Sequence, residues 1–240
     1  MSSVRKRHAV QLFRGLAEGY DRVGAVMSFG QDPRWRRALV DFIDPRAGMR
    51  VLDVATGTGM VAFALAARGA EVVGLDQSEA MLGGAQARLE RTPELAGRLS
   101  FVLGEAESLP FDDGEFDAVS FTYLLRYVED RTATMRELAR VLRPGGRIGM
   151  AEFGVPRDRV LRALWRIHTR AGLPLLGRVV SRDWYEVGRF LGPSIEQFHA
   201  AEPDLPALWR EAGIGQARQR ALSFGAGIVV TGVRNAAASP

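Results

Sequence analysis

Two carboxylates and a glycine loop carry the chemistry that is legible in this chain. Asp53 lies within an apolar run that leads through Ala55 and Thr56 to Gly57-Thr58-Gly59, and Asp76 ends the next apolar run, about 20 residues past the first glycine. Glycines behind an apolar strand let the backbone approach a ligand closely, and a helix starting just after them aims its free N–H groups at that ligand. The glycines alone also fit the dinucleotide form G-x-G-x-x-A, read from Gly57 to Ala62. Asp53 separates the two readings. A carboxylate there repels a pyrophosphate but suits a ligand carrying an ammonium or a sulfonium. Asp76 suits a ribose in either case, since it can accept from both hydroxyls.

These groups need elements to position them. Apolar runs at 51–55, 71–76, 99–103, 116–122 and 147–153 read as strands, and helical patterns cover 60–68, 78–90 and 130–142. Such alternation predicts a parallel sheet covered on both faces, with ligands beyond the carboxyl ends of the strands. Ala55 to Gly59, Asp76 with Gln77 and Met81, Glu105 with Ala106, and Thr122 with Tyr123 all fall near those ends. Arg143-Pro144-Gly145-Gly146 is expected to stop a helix before the fifth strand, and runs 217–223 and 227–233 to pair antiparallel around 224–226. In front, 9–20 can form a helix and Pro33 can start another over 34–42. The aromatic and methionine-bearing segment ahead of the first strand is either a lid over the loop or a helix packed on the sheet edge.

Residues 154–206 break the alternation and form a candidate cap. Within it Arg159, Arg162, Arg166 and Arg170 share one helical side, and Val160, Leu161, Leu164, Trp165 and Ile167 the other, before Gly172 and Pro174 interrupt. Either the apolar side packs on the core with the arginines in solvent, or the helix meets a membrane surface. The expected organisation is one domain, 1–240: a helical lid at 1–45, a cofactor-binding core at 46–153, the cap at 154–206 and closing strands at 207–240.

Composition narrows the chemistry further. A chain of 240 residues with 47% hydrophobic content can bury a full core. Without cysteine it has no disulfide, thiolate metal site or cysteine nucleophile, and His8, His168 and His199 stand too far apart in sequence to suggest a metal. A net charge of +4, with no dense basic run beyond Arg5-Lys6-Arg7, argues against nucleic acid and leaves an anionic membrane surface open. No stretch is long and apolar enough to span a bilayer, and the basic start lacks the apolar core of a signal peptide. A cytoplasmic protein is expected, with peripheral contact at the inner face of the membrane as its extension.

S-adenosylmethionine carries an ammonium, a sulfonium and a ribose together, and the motifs around the loop resemble those of the class I methyltransferases. Within that class they are similar to the C-methyltransferases acting on ubiquinone and menaquinone precursors. The marks are Tyr20-Asp21, Ser28-Phe29-Gly30 and Trp35-Arg36-Arg37 at the front, then the Asp53 strand with its glycines, Glu105-Ala106-Glu107 and Leu109-Pro110-Phe111. Phe116-Asp117, Leu125-Arg126, Arg140-Val141-Leu142 with Pro144-Gly145-Gly146, Glu152-Phe153, and Ser194-Ile195 before Phe198 follow. The resemblance implies an α/β, Rossmann-like class I methyltransferase sheet, mostly parallel with an antiparallel final strand, helices on both faces and a small helical cap. It also implies that Thr58, Asp76, Glu105-Ala106 and Thr122 contact S-adenosylmethionine, with Asp53 and the glycines shaping its amino-acid end. Departures from that pattern stand at Gly24, Glu105, Tyr123-Leu124 and Tyr127.

The implied reaction is C-methylation of a quinol ring such as demethylmenaquinol, a small aromatic or lipid acceptor. The alternatives are a soluble aromatic metabolite and, more distantly, an NAD-dependent oxidoreductase. A ring carbon becomes nucleophilic when an adjacent hydroxyl ionises, and a phenol of pKa about 10 needs a nearby cation or donor to do so at neutral pH. Arg126, past the fourth strand, can be that cation, or can pair structurally with Glu129 or Asp130. Tyr20, Tyr123, Tyr127 and His168 are further candidates for moving a proton or touching the ring.

Overall fold

A computed structural model describes residues 19–236. The helix expected over 9–20 therefore lies outside the described residues, apart from its last two. Helix α1 (Tyr20–Met27) turns through Gly30, whose left-handed backbone (φ 71°) caps α2 (Gln31–Ile43). The helix thus starts ahead of the expected Pro33, which sits in the first turn where no N–H is needed. Strands β1 (Arg50–Val54), β2 (Glu71–Asp76), β3 (Leu99–Leu103) and β4 (Phe116–Thr122) alternate with α3 (Met60–Ala66), α4 (Glu79–Glu90) and, after β4, α5 (Arg131–Val141). Strand β5 (Leu142–Phe153) is followed by α6 (Arg159–Ile167), a π turn over 168–172, α7 (Leu173–Val180), α8 (Arg182–Ala201) and α9 (Leu205–Glu211). Strands β6 (Ile214–Leu222) and β7 (Gly227–Arg234) close the chain as an antiparallel pair.

The sheet runs β3-β2-β1-β4-β5-β7-β6. Its first five strands are parallel, and β7 inserts antiparallel between β5 and β6. The order reverses at β1, so a crevice opens between the carboxyl ends of β1 and β4, where neighbouring connections leave on opposite sides. Alternation along β1 sends Leu52 and Val54 into the core face that holds Phe121 and Trp209, and Val51 into the face that holds Leu39 and Phe63. Burying Leu39 completely stabilises the fold by about 1.5–3 kcal/mol. A third apolar cluster, Met27, Met81, Leu173, Trp184 and Val187, ties α1 and α4 to the cap helices.

Two expectations are corrected. The Arg143-Pro144-Gly145-Gly146 stretch lies inside β5 rather than ahead of it: Leu142 already pairs with Phe116, and a bulge with Gly145 at φ 75° absorbs the following residues before Arg147 meets Ala118. Gly172 and Pro174 do not interrupt the basic helix either. All of 159–180 stays helical, with a π turn widening the ladder just ahead of Pro174, whose ring and missing N–H disturb a regular α-turn. The faces of that helix also differ from the core-packed arrangement. Leu164 and Ile167 are 58% and 64% exposed, whereas Arg166 and Arg170 turn back to pair with Glu196 on α8.

Candidate active site

The crevice between β1 and β4 holds a cavity lined by the loops after four parallel strands. After β1, Ala55 and Gly57 both adopt positive φ, which folds the loop back over the strand end. Asp76 closes it from β2: its Oδ2 accepts the Gly57 N–H at 2.8 Å and its Oδ1 the Ser78 N–H at 2.9 Å. A carboxylate has about four acceptor positions, so two remain for a ligand. Burial pushes the Asp76 carboxyl up, and backbone donors at Ser78, Gly57 and Gln77 oppose that shift. Gln77 and Met81 line the same side, Gly104, Ala106 and Glu107 the β3 side, and Thr122 the β4 side.

Asp53 stands elsewhere. It does not line the cavity but lies beneath the loop, where Oδ1 accepts from Ser120 Oγ at 2.6 Å and Oδ2 from Thr56 Oγ1 at 2.7 Å. Period-two alternation turns it away from Val54, inward under the turn. Burial raises its pKa from an ordinary 3.8 to about 6, against the pull of those two hydroxyls. Gly59 (φ 82°) caps α3 behind the loop, and a Cβ there would meet the Phe63 ring at 2.9 Å. Glu105 pairs across a short antiparallel bridge with Ser108 and leaves the cavity wall to its neighbours.

A second, apolar cavity shares Asp21, Arg36, Tyr123 and Tyr127 with the first and reaches back under the cap helices. Asp21 joins the two sides: Thr58 Oγ1 donates to it at 2.6 Å and Arg88 pairs with it at 3.2 Å. Tyr123, the residue after β4, holds a positive φ of 57° that is costly for a bulky side chain, and its ring stacks on Phe153 with centroids 4.5 Å apart. Its hydroxyl donates to Asp32 Oδ1. Asp32 also receives the Arg36 Nε at 2.9 and 3.0 Å, and Arg36 Nη1 continues to Thr122 Oγ1 at 3.2 Å. Burial, reinforced by the Asp32 charge, holds the Tyr123 phenol well above its ordinary range.

Arg126 lines this second cavity as a buried ion pair, and its partner is Glu152 rather than Glu129 or Asp130. Nε meets Glu152 Oε1 at 3.0 Å and Nη1 donates to Ser194 Oγ at 3.0 Å, while Asp130 instead caps α5 through the Ala133 N–H. Burial favours the neutral forms of both partners; for Arg126 the charge and hydrogen bond of Glu152, together with Tyr127 and Tyr123, outweigh it and keep the guanidinium protonated. Glu152 Oε2 is buried with no hydrogen-bond partner among the described residues. The Tyr127 ring lies 5.0 Å from the guanidinium, and His168 Nε2 donates to the Met27 carbonyl at 3.1 Å. Tyr20 opens α1, and its side chain lies outside the described residues.

Sequence reasoning missed Asp32, Asp21 and Glu107 as wall residues. The spacing of Asp32 and Arg36 by one helical turn was a visible sign of pairing, but Tyr123, which makes Asp32 part of the site, lies 91 residues away.

A seven-stranded sheet of this order, with the ligand crevice at its reversal point and a buried acid ending β2, defines the protein as an α/β methyltransferase. Among solved structures, a SAM-dependent methyltransferase from Aquifex aeolicus shares the fold at a TM-score of 0.59 and 17% identity, with 82% of this chain and 88% of that one covered. The ubiE/COQ5 methyltransferase family matches residues 1–234, and this chain belongs to it; S-adenosylmethionine is its methyl donor. Among its curated relatives is a demethylmenaquinone methyltransferase of Thermus thermophilus, 38% identical over 93% of this chain and 100% of that one. Another, the ubiquinone/menaquinone biosynthesis C-methyltransferase UbiE of Geobacter sulfurreducens, is 35% identical over 92% and 86%. The nicotinamide reading of the glycines is set aside by this membership.

Proposed function

We propose that this enzyme transfers a methyl group to a ring carbon of a polyprenyl quinol such as demethylmenaquinol. The names of its relatives point to that acceptor, and one observation carries the reading in this chain. An apolar, aromatic-walled cavity meets the strand-end cavity at a polar pair, Tyr123 with Asp32, so a flat ring lodged among Trp35, Phe153 and Trp165 would present its hydroxyl to an acceptor of protons. An acceptor with a lipid tail also resides at a membrane, which supports peripheral contact. No helix among the described residues is long and apolar enough to cross one.

In this reading Asp76 holds the ribose hydroxyls, the 56–58 loop borders the amino-acid end, and Leu75, Met81 and Val128 supply apolar surface to the adenine. Asp53 acts through Thr56, setting the loop it braces. When bound, S-adenosylmethionine supplies an electrophilic methyl group on its sulfonium. Asp32 takes the quinol hydroxyl proton through Tyr123, which leaves the ring ionised and its neighbouring carbon nucleophilic. As the new C–C bond forms, the S–CH3 bond breaks and its electrons stay on sulfur. The methylated carbon then loses its own proton to solvent, and Asp32 returns the hydroxyl proton, so that one proton is released per turnover. Arg126, its charge shared with Glu152, braces Tyr123 and Tyr127 instead of facing the hydroxyl as a free cation.

The test is transfer of isotope-labelled methyl to a short-tailed demethylmenaquinol beside small soluble phenols, with the product located by NMR. Label on the quinol ring carbon is the expected result. Label on oxygen, or transfer to phenols and none to the quinol, overturns the reading.

A further inference from the structure

Between Arg159 and Arg182 the sequence holds six arginines and no acid. The α6, π-turn and α7 stretch is one unbroken helical run over 159–180, about 33 Å long at 1.5 Å per residue. One face of it turns inward: Trp165, Thr169 and Leu173 line the apolar cavity. The opposite face is apolar too, and nothing among the described residues covers it. Val160, Leu164, Ile167, Ala171, Leu175 and Val179 follow one another at three- to four-residue spacing along it, and Val179 is 86% exposed. The arginines form one flank, where Arg162 donates to the Pro156 carbonyl at 2.7 Å and Arg166 and Arg170 share Glu196. Phe29, 70% exposed at the α1–α2 turn, extends the apolar surface, with its ring 4.8 Å from His168.

An apolar strip of this length, with a flank where the arginines outnumber their one acid, Glu196, matches an anionic lipid surface, which offers hydrocarbon beneath a layer of negative charge. A second copy of the chain fits poorly, because pairing the face with itself would oppose arginine to arginine. We propose that the outward face of the α6–α7 run docks on an anionic bilayer, with the helix lying in the plane of the headgroups and the Phe29–His168 edge of the apolar cavity turned to the lipid. The docking face stands on its exposure and charge; its link to the acceptor rests on the quinol reading.

The experiment is co-sedimentation of the full chain with vesicles of phosphatidylcholine alone and of phosphatidylcholine with phosphatidylglycerol. Binding is expected to the anionic vesicles. Raising salt from about 0.1 M to about 0.5 M should weaken it without abolishing it, since charge is screened and apolar burial is not. The double variant Leu164→Gln, Ile167→Gln alters only exposed side chains and should bind anionic vesicles about tenfold more weakly. Its transfer to a short-tailed acceptor free in solution should be unchanged, while transfer to a long-tailed acceptor in vesicles falls. Equal vesicle binding by wild type and variant overturns the proposal, as does a wild-type dimer without vesicle binding that the variant dissociates. Vesicle binding without quinol methylation would leave the docking face standing and overturn the acceptor; methylation of the short-tailed quinol without vesicle binding would do the reverse.

Discussion

The strand-end cavity and the apolar cavity meet at Tyr123 but are built in opposite ways. The first is made of main chain: strand ends, two positive-φ turns and a carboxylate held by the amides of Gly57 and Ser78. The second is made of side chains brought from α1, α2, the ends of β4 and β5, and three helices of the cap. Main-chain geometry tolerates many side chains and preserves one ligand. A side-chain wall changes shape with each substitution, so the same sheet can serve different acceptors. In this chain the departures at Gly24, Tyr123 and Tyr127 line the second cavity, and Tyr123 and Tyr127 reach the first only along the shared wall.

The largest expected effect falls on the side-chain wall. Arg126→Met leaves Glu152 buried without its cation and should cost about 3–5 kcal/mol of stability by urea denaturation, much of it recovered in the double variant with Glu152→Gln. If Arg126→Met instead keeps its stability and loses only rate, with rescue at high pH, then the arginine is a free cation in the reaction and the contrast between brace and reacting group fails.

Beneath the main-chain cavity, Asp53 offers a pH test. Its folded-state pKa is raised from 3.8 to about 6, so the folded form binds the proton more tightly than the unfolded form does. Its stabilising contribution is therefore complete below about pH 4 and is lost as pH rises through about 6, a span of about 3 kcal/mol. Thermal melts of wild type and Asp53→Asn across this window should show wild type losing ground to the variant as pH rises. Parallel curves would remove Asp53 as the buried titrating floor of the loop.

Asp32→Asn should slow methyl transfer by about 100-fold with cofactor affinity retained, since one proton acceptor is lost and Asp32 does not itself line the first cavity. Single-turnover rates of the variant should recover at higher pH, where solvent removes the hydroxyl proton; a uniform loss at all pH values would make Asp32 only a partner for Arg36. Asp76→Ala should do the converse, weakening S-adenosylmethionine binding by about 1–3 kcal/mol in calorimetry. Should Asp32→Asn weaken cofactor binding as much as Asp76→Ala does, the two cavities are one site.

Much of the fold was written in the sequence. β2, β3 and β4 occupy the runs their apolar pattern predicts, and α4 and α5 begin one residue after the expected starts because Ser78 and Asp130 act as caps rather than first-turn residues. The closing hairpin was legible from two strand-length runs around Phe224, though not the placement of β7 inside the sheet, which depends on which neighbour each strand finds. Period-two burial and glycine turns act locally, so the meeting of the loops after β1 and β2 at one cavity was readable.

The amino-acid sequence by itself determined the alternating sheet, the strand-end loops and the acid that ends β2, because each depends on neighbours a few residues apart. Tertiary structure alone decided that Asp53 lies under the loop, that Arg126 meets Glu152, that Asp32 meets Tyr123, and that 159–180 turns Trp165 and Leu173 inward while Leu164 and Ile167 face out. Those outcomes depend on which distant side chain reaches a buried charge or apolar face first. Periodicity states that a helix has two faces, but only packing states which one the core takes.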